Sequence, residues 1–306
     1  MNFNIRVIGV KPPQDNWIHY KRLALVCEGG GQRGIFTAGI LDSFMKYDFF
    51  PFHTLIGVSA GSQNLSAYAC GVHGYSRHAI LRYTTQKAFF DPLRFARGGH
   101  LIDLDWYLDT LHQEVPLDIE QGRRRLSGRA LSICASRRDT LTADYLPFQR
   151  DSLRELIKAS SAIPLLYRDH ARLNGIDYWD GAVADALPVQ AAHDRGGDCI
   201  VLIRTLPLEF DRKLVTIPNS LKRGRLHGAA TLVASHLNSY RKARAFIEQP
   251  PDGVTIIELM PSKPLKSRLL GSHSDALTHD YDLGQCCGLS FLQHYAWRLR
   301  VRTMHS

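Results

Sequence analysis

Leu55-Ile56-Gly57-Val58-Ser59-Ala60-Gly61 is the stretch whose reading decides the fold. A short apolar run ends in Gly-x-Ser-x-Gly. Ala60 to Cys70, behind it, is rich in small residues and reads as helix. A serine at a strand-to-helix turn sits in a tight bend. Gly57 and Gly61 lack the Cβ atoms that would collide as the bend closes. Such a turn projects the Ser59 hydroxyl outward over a helix start, the geometry of a nucleophile elbow. The motif is short and recurs by chance, so its neighbours must carry the reading.

Upstream, the apolar run Leu23 to Cys27 reads as a buried strand, followed by Gly29-Gly30-Gly31-Gln32-Arg33-Gly34 and an apolar helix from Ile35 to Tyr47. The loop matches Gly-x-Gly-x-x-Gly, the dinucleotide fingerprint. That fingerprint also needs an acidic residue at the end of the second strand. Here Ser59 holds that place, and the nucleotide reading fails its own requirement. The alternative is an oxyanion hole: a serine attacking an ester makes the carbonyl oxygen negative, and preorganised N–H groups must meet it. A tight strand-helix turn with no chemistry is the third reading of the loop.

A serine nucleophile needs a base. The usual base is a histidine held by a carboxylate. None of the 14 histidines lies in a recognisable motif; His193, His227 and His236 fall on predicted helices. Asp180 is the better placed candidate. Trp179-Asp180-Gly181-Ala182 ends a predicted strand, and small residues there let a carboxylate approach the serine directly. Asp-Gly as a plain turn is the competing reading.

Further predicted strands are Ala130 to Ser136, Cys199 to Thr205 and Val254 to Met260, with a Tyr167 to Trp179 hairpin turning at Asn174-Gly175. Helices are predicted between them, including one opened by a Ser152-x-x-Glu155 capping box and a long region from Ser220 to Glu248. Gln121 to Arg129 reads as an exposed turn. Strand-helix alternation implies an α/β fold with a mostly parallel central sheet and helices on both faces. Residues 1–20 read as a loosely held leader, 21–210 as a catalytic domain, and 211–306 as a helical extension whose strand near 254–260 returns to the sheet.

The composition is that of a globular protein, 44% hydrophobic and 22% charged, with a formal charge of +9 over 306 residues. A basic surface favours anionic partners. Nucleic acid is not expected, because no binding motif accompanies the charge. The six cysteines lack metal-ligand spacing, so no metal is expected and a reducing, cytoplasmic location is. No apolar run approaches the ~18 residues of a membrane span, and residues 1–20 lack the apolar core of a signal peptide.

Taken together, these residues resemble the patatin-like phospholipases in four blocks, in order: Gly29 to Gly34, Gly57 to Gly61, Ala159-Ser160-Ser161-Ala162-Ile163-Pro164, and Asp180-Gly181-Ala182 with Asp185-Ala186-Leu187-Pro188-Val189. The resemblance spans about Arg22 to Leu206, and the rest looks like a bacterial subgroup with a C-terminal extension. It implies a three-layer patatin-like fold and a Ser-Asp dyad acting on a lipid or acyl ester without cofactor. Ser59 would be the nucleophile, Asp180 the base, and the N–H groups of Gly30, Gly31 and Arg33 the oxyanion hole. Ala182 departs from the second glycine of many members, and Glu28 has no role assigned. Two other functions stay open: a histidine-dependent esterase or thioesterase of soluble substrates, and a non-catalytic protein docking anionic membranes through basic segments such as Arg123 to Arg125 and Arg241 to Arg244. The oligomeric state is left open.

Overall fold

The computed structural model describes residues 2–9, 22–148, 153–212 and 227–299. Nine strands are described: β1 (Phe3–Gly9), β2 (Leu23–Cys27), β3 (Thr54–Val58), β4 (Ala130–Arg137), β5 (Ala143–Pro147), β6 (Ala171–Leu173), β7 (Ile176–Asp180), β8 (Cys199–Ile203) and β9 (Thr255–Pro261). They form one sheet in the order β1-β9-β8-β2-β3-β4-β7-β6, with β5 also pairing β4. The central run β9-β8-β2-β3-β4 is parallel. Antiparallel strands close both edges.

Every residue of β2, β3 and β8 is buried, as expected when helices cover both faces of a parallel sheet. Alternation along β2 sorts the two faces. Leu23, Leu25 and Cys27 pack with α1 (Gly34–Lys46), α2 (Ala60–Cys70) and the helix Ser274–His294. Ala24 and Val26 pack with the helices Val189–Asp194 and His227–Glu248. The α/β layering expected from the strand-helix alternation is therefore present.

Three local readings change. Phe3–Gly9 pairs antiparallel with β9 along its whole length, where a loose leader was expected. Phe3 and Ile5 pack on the core, and Arg6 donates to the Glu258 carboxylate at 2.9 Å. Pro12-Pro13 and Ser152 lie outside the described residues, as does 220–226 of the long helical region. Within Gln121 to Arg129, residues to Arg125 belong to the helix Ile119–Arg125. The Asp118 carboxylate caps it by accepting the Gln121 N–H. Finally, β5 was not anticipated; four of its five residues are half-buried, Pro147 is exposed, and the apolar pattern is weak.

The helix Ser274–His294 lies directly against α1, through glycines. A Cβ on Gly39 would sit 2.2 Å from the Tyr281 carbonyl oxygen, and one on Gly284 would sit 2.1 Å from that of Phe36. No flexible side chain can yield there, because backbone meets backbone. Gly284→Val should therefore destabilise the protein by at least the ~1–3 kcal/mol of an overpacked core, read as a lower urea midpoint. A surface change such as Tyr47→Ser should leave the midpoint within ~0.5 kcal/mol equivalent.

Candidate active site

The sheet brings the sequence blocks to one edge. Strands β2 and β3 are adjacent and parallel, so the glycine loop after β2 and Ser59 after β3 emerge side by side. On the next strand, Val58 lies opposite Cys134. One residue further along β4, Ala135 lies opposite Asp180 of antiparallel β7. Ser59 and Asp180 thus flank β4 at the same level, although 120 residues separate them in sequence.

Ser59 has φ 52° and ψ −122°, a backbone conformation that a non-glycine residue holds only when its surroundings enforce it. Gly57 and Gly61 make room for it. A Cβ on Gly57 would lie 2.5 Å from the Ser62 Cα, and one on Gly61 would lie 2.3 Å from the Cys27 carbonyl oxygen. The buried Ser160 hydroxyl braces the bend. It accepts the Ser59 N–H at 2.8 Å, donates to the Cys134 carbonyl at 2.6 Å and contacts the Ser62 hydroxyl at 2.9 Å. Two residues on, the Ala162 carbonyl accepts the Asp180 N–H at 2.9 Å. The Ala159 to Pro164 block therefore holds both site residues.

Asp180 is buried. Burial pushes its carboxyl up to about 6, against the opposing effects of hydrogen bonds from the Ser59 hydroxyl and the Ala182 N–H and of the nearby His236. The Ala182 N–H lies 2.9 Å from the carboxylate. Gly181 is needed because a Cβ there would lie 2.3 Å from the Cys134 carbonyl oxygen. Ala182 carries its Cβ without difficulty; it is half-buried and lines the cavity.

In the glycine loop, Gly30 and Gly31 have φ of 144° and 56°. Gly29 runs beside the elbow, where a Cβ would come 3.1 Å from that of Ser59, and Gly34 abuts Ala60 in the same way at 2.9 Å. The Arg33 N–H was expected in the oxyanion hole; instead it donates to the Gly30 carbonyl at 3.1 Å. The helical turn from Gly31 takes up that donor, which leaves Gly30 and Gly31 as the candidates. The Arg33 side chain does line the cavity.

Glu28 acquires a place. Its buried carboxylate accepts the Thr205 N–H at 2.5 Å, and the Thr205 hydroxyl donates to the Gly29 carbonyl at 2.8 Å. The charge also supports the Arg33 guanidinium, whose proton affinity burial lowers. From the C-terminal side, the Leu269 carbonyl accepts the Gln32 N–H at 3.0 Å, and the Gln32 side chain accepts the Ser272 N–H at 2.8 Å.

Ser59, Asp180, Gly30 and Gly31 share a cavity of about 320 Å³, with an apolar lining that includes Ile163, Leu206, Leu232 and Leu269. Among the described histidines, His236 reaches it. Its Nδ1 lies 2.6 Å from the Ala182 carbonyl; a carbonyl only accepts, so that nitrogen carries the proton. His193 instead packs near Phe246. No sequence signal singles out His236, Thr205 or Leu269, because each arrives from a separate element.

A family model described as Patatin-like phospholipase matches residues 25–193. The chain belongs to the patatin-like phospholipase family. Its members are lipid ester hydrolases, and the mostly parallel sheet between helices is their fold. A second model, Domain of unknown function (DUF6363), matches residues 227–300. The chain is 45% identical over 297 residues to Uncharacterized protein YjjU of Escherichia coli (strain K12), covering 94% of this chain and 81% of that protein. Among solved structures, human GIVD cytosolic phospholipase A2 in complex with methyl gamma-linolenyl fluorophosphonate aligns with a TM-score of 0.50. The identity is 12%, over 94% of this chain and 60% of that chain. VipD from Legionella pneumophila aligns at 0.49 with 13% identity, over 89% and 67%.

Two stability effects follow for this patatin-like protein. Ser160→Ala leaves the buried Ser59 N–H and Cys134 carbonyl short of a partner and should cost about 1–3 kcal/mol, read by urea denaturation. Asp180→Asn should act the other way. With its folded value at about 6 and an unfolded value of ~3.9, Asp180 binds a proton more tightly in the native state. Its contribution to stability therefore falls as pH rises from about 4 to about 6 and stays low above that. Removing the buried charge should stabilise the protein by on the order of 2–3 kcal/mol at pH 8 and by much less at pH 4.

Proposed function

We propose that the chain is a lipid acyl hydrolase working through a Ser59–Asp180 dyad. The observation that carries this reading is the strained Ser59 and the buried Asp180 carboxyl opening on one apolar cavity, edged by two glycines of unusual backbone. The Ser59 proton passes to Asp180 as Oγ attacks the ester carbonyl. The N–H groups of Gly30 and Gly31 stabilise the oxyanion, as preorganised donors do in acyl transfer. Collapse expels the alcohol or lysolipid, which takes the proton from Asp180, and leaves an acyl ester on Ser59. Asp180 then deprotonates a water molecule that attacks this ester; collapse frees the fatty acid and expels Ser59 Oγ, which takes the proton back from Asp180. The apolar cavity wall suits an acyl chain, and the substrate is reached by peripheral contact with a membrane.

A histidine-based mechanism has weaker support. His236 lines the cavity, yet its Nδ1–H is given to Ala182, whereas the buried Asp180 carboxyl is influenced directly by Ser59.

The test is hydrolysis of a short-chain p-nitrophenyl ester by folded wild type and variants. Ser59→Ala should fall to background. Asp180→Asn should lose about 100- to 10,000-fold in kcat/KM, the range for a lost general base. Full activity in Ser59→Ala would falsify the dyad. Because the base must be ionised, wild-type kcat/KM should drop about tenfold per pH unit below an acid limb near the Asp180 value of about 6. A limb unchanged in residual Asp180→Asn activity would assign it to another group.

A further inference from the structure

Six large hydrophobic side chains among the described residues are exposed: Val7, Tyr47, Leu93, Leu165, Phe210 and Val233. Three of them, Leu165, Phe210 and Val233, line the cavity that holds Ser59 and Asp180. Scattered exposed leucines need no explanation, but a cluster around one opening does. Leu165 is the sharpest case. It is 59% exposed and has φ 73°, a strained state for a bulky side chain. The turn around it is fixed on both sides. The Leu166 and Tyr167 N–H groups both donate to the Ile163 carbonyl, at 3.2 and 3.0 Å, and the Leu101 N–H donates to the Leu166 carbonyl at 2.8 Å. The backbone thus holds a leucine out in water at the mouth of the cavity.

Cations stand beside this rim. A groove of about 520 Å³ shares Pro164, Leu165 and Leu232 with the catalytic cavity and contains Arg138 and Arg168. The Arg168 guanidinium lies over Phe95 at 4.7 Å and that of Arg138 over Trp179 at 5.4 Å. Asp169 also lines the groove, and Asp177 lies 3.9 Å from Arg138, so the groove is only moderately basic. Arg168 makes no ion pair within 4 Å among the described residues. Apolar side chains with two guanidiniums beside them match a bilayer surface, where hydrocarbon lies beneath a layer of phosphates.

We propose that Leu165, Phe210 and Val233, flanked by Arg138 and Arg168, form the face by which this protein docks on a phospholipid bilayer, with Leu165 inserted among the acyl chains. The inference rests on the lipid hydrolase reading and specifies how the cavity meets its substrate: the opening is pressed to the membrane and a lipid slides in without crossing water.

Vesicle co-sedimentation of Ser59→Ala protein tests it without turnover. The vesicles are phosphatidylcholine alone, or equal parts phosphatidylcholine and phosphatidylglycerol. Leu165→Glu and Phe210→Glu should each weaken partitioning onto the mixed vesicles about tenfold or more, given the apolar area lost from the bilayer. Arg138→Gln with Arg168→Gln should weaken it about tenfold on mixed vesicles and less on phosphatidylcholine alone. Tyr47→Glu should have no effect, because Tyr47 follows α1 at the end remote from the site, about 20 Å away at 1.5 Å per residue. Absence of vesicle binding overturns the docking face, as does equal loss in Tyr47→Glu. So does vesicle binding that persists unchanged in the rim variants, and a change in their oligomeric state would then assign the rim to a contact between copies of the chain. A wild type that binds vesicles through this rim but hydrolyses no ester would instead overturn the hydrolase reading and leave the docking face standing.

Discussion

The hydroxyl of Ser160 holds the elbow in place. It takes the N–H of Ser59 and gives its own proton to the carbonyl of Cys134, so it locks a strained serine to the neighbouring strand. Strain at φ 52° would otherwise relax toward ordinary strand or helix values and carry the hydroxyl away. Two residues further, the Ala162 carbonyl takes the N–H of Asp180. A single helix end thus sets the separation of a serine and a carboxylate that belong to different strands. The steric demands at Gly57, Gly61 and Gly181 follow from the same arrangement, because each glycine lies where a strand end must nearly touch a backbone carbonyl or amide.

The burial that raises the proton affinity of Asp180 has two sides. A carboxylate in a dry site weighs against the folded state at neutral pH, and the same dryness brings its value closer to working pH, which suits a base. The hydrogen bonds from Ser59 and Ala182 limit the rise. Stability and proposed chemistry therefore pull on this residue in opposite directions, as they do at many functional sites.

The C-terminal third enters the site from two directions. The segment around Leu269 and Ser272 is hydrogen-bonded to Gln32, so it supports the glycine loop. The helix His227–Glu248 supplies Leu232, Val233, His236 and Tyr240 to the cavity wall. A buried network strengthens that attachment: Arg204 donates to Glu258 at 3.0 Å and to the Tyr240 hydroxyl at 2.6 Å, joining β9, the segment after β8 and the helix. The region matching a domain of unknown function is, in this chain, part of the cavity and of the sheet.

Much of this was legible in the chain alone. Apolar runs of strand length between helical patterns determine an α/β sheet, because a strand buried on both faces must be apolar throughout. Glycines at fixed offsets from Ser59 mark the elbow, because only they tolerate the close approach. Other features depended on the tertiary structure. The β1 pairing could be suspected from the alternation of Phe3, Ile5 and Val7, but its partner lies some 250 residues away. The Arg33 amide looked available in sequence, and it is the helical turn that consumes it. Ser160 stood out only as part of its block, and Thr205 and His236 not at all, until strand register and helix packing brought them to the site. Local pattern determines which element a residue joins, because backbone geometry repeats over a few residues. Which side chains meet is decided by packing between distant segments, and no short window of sequence contains both partners.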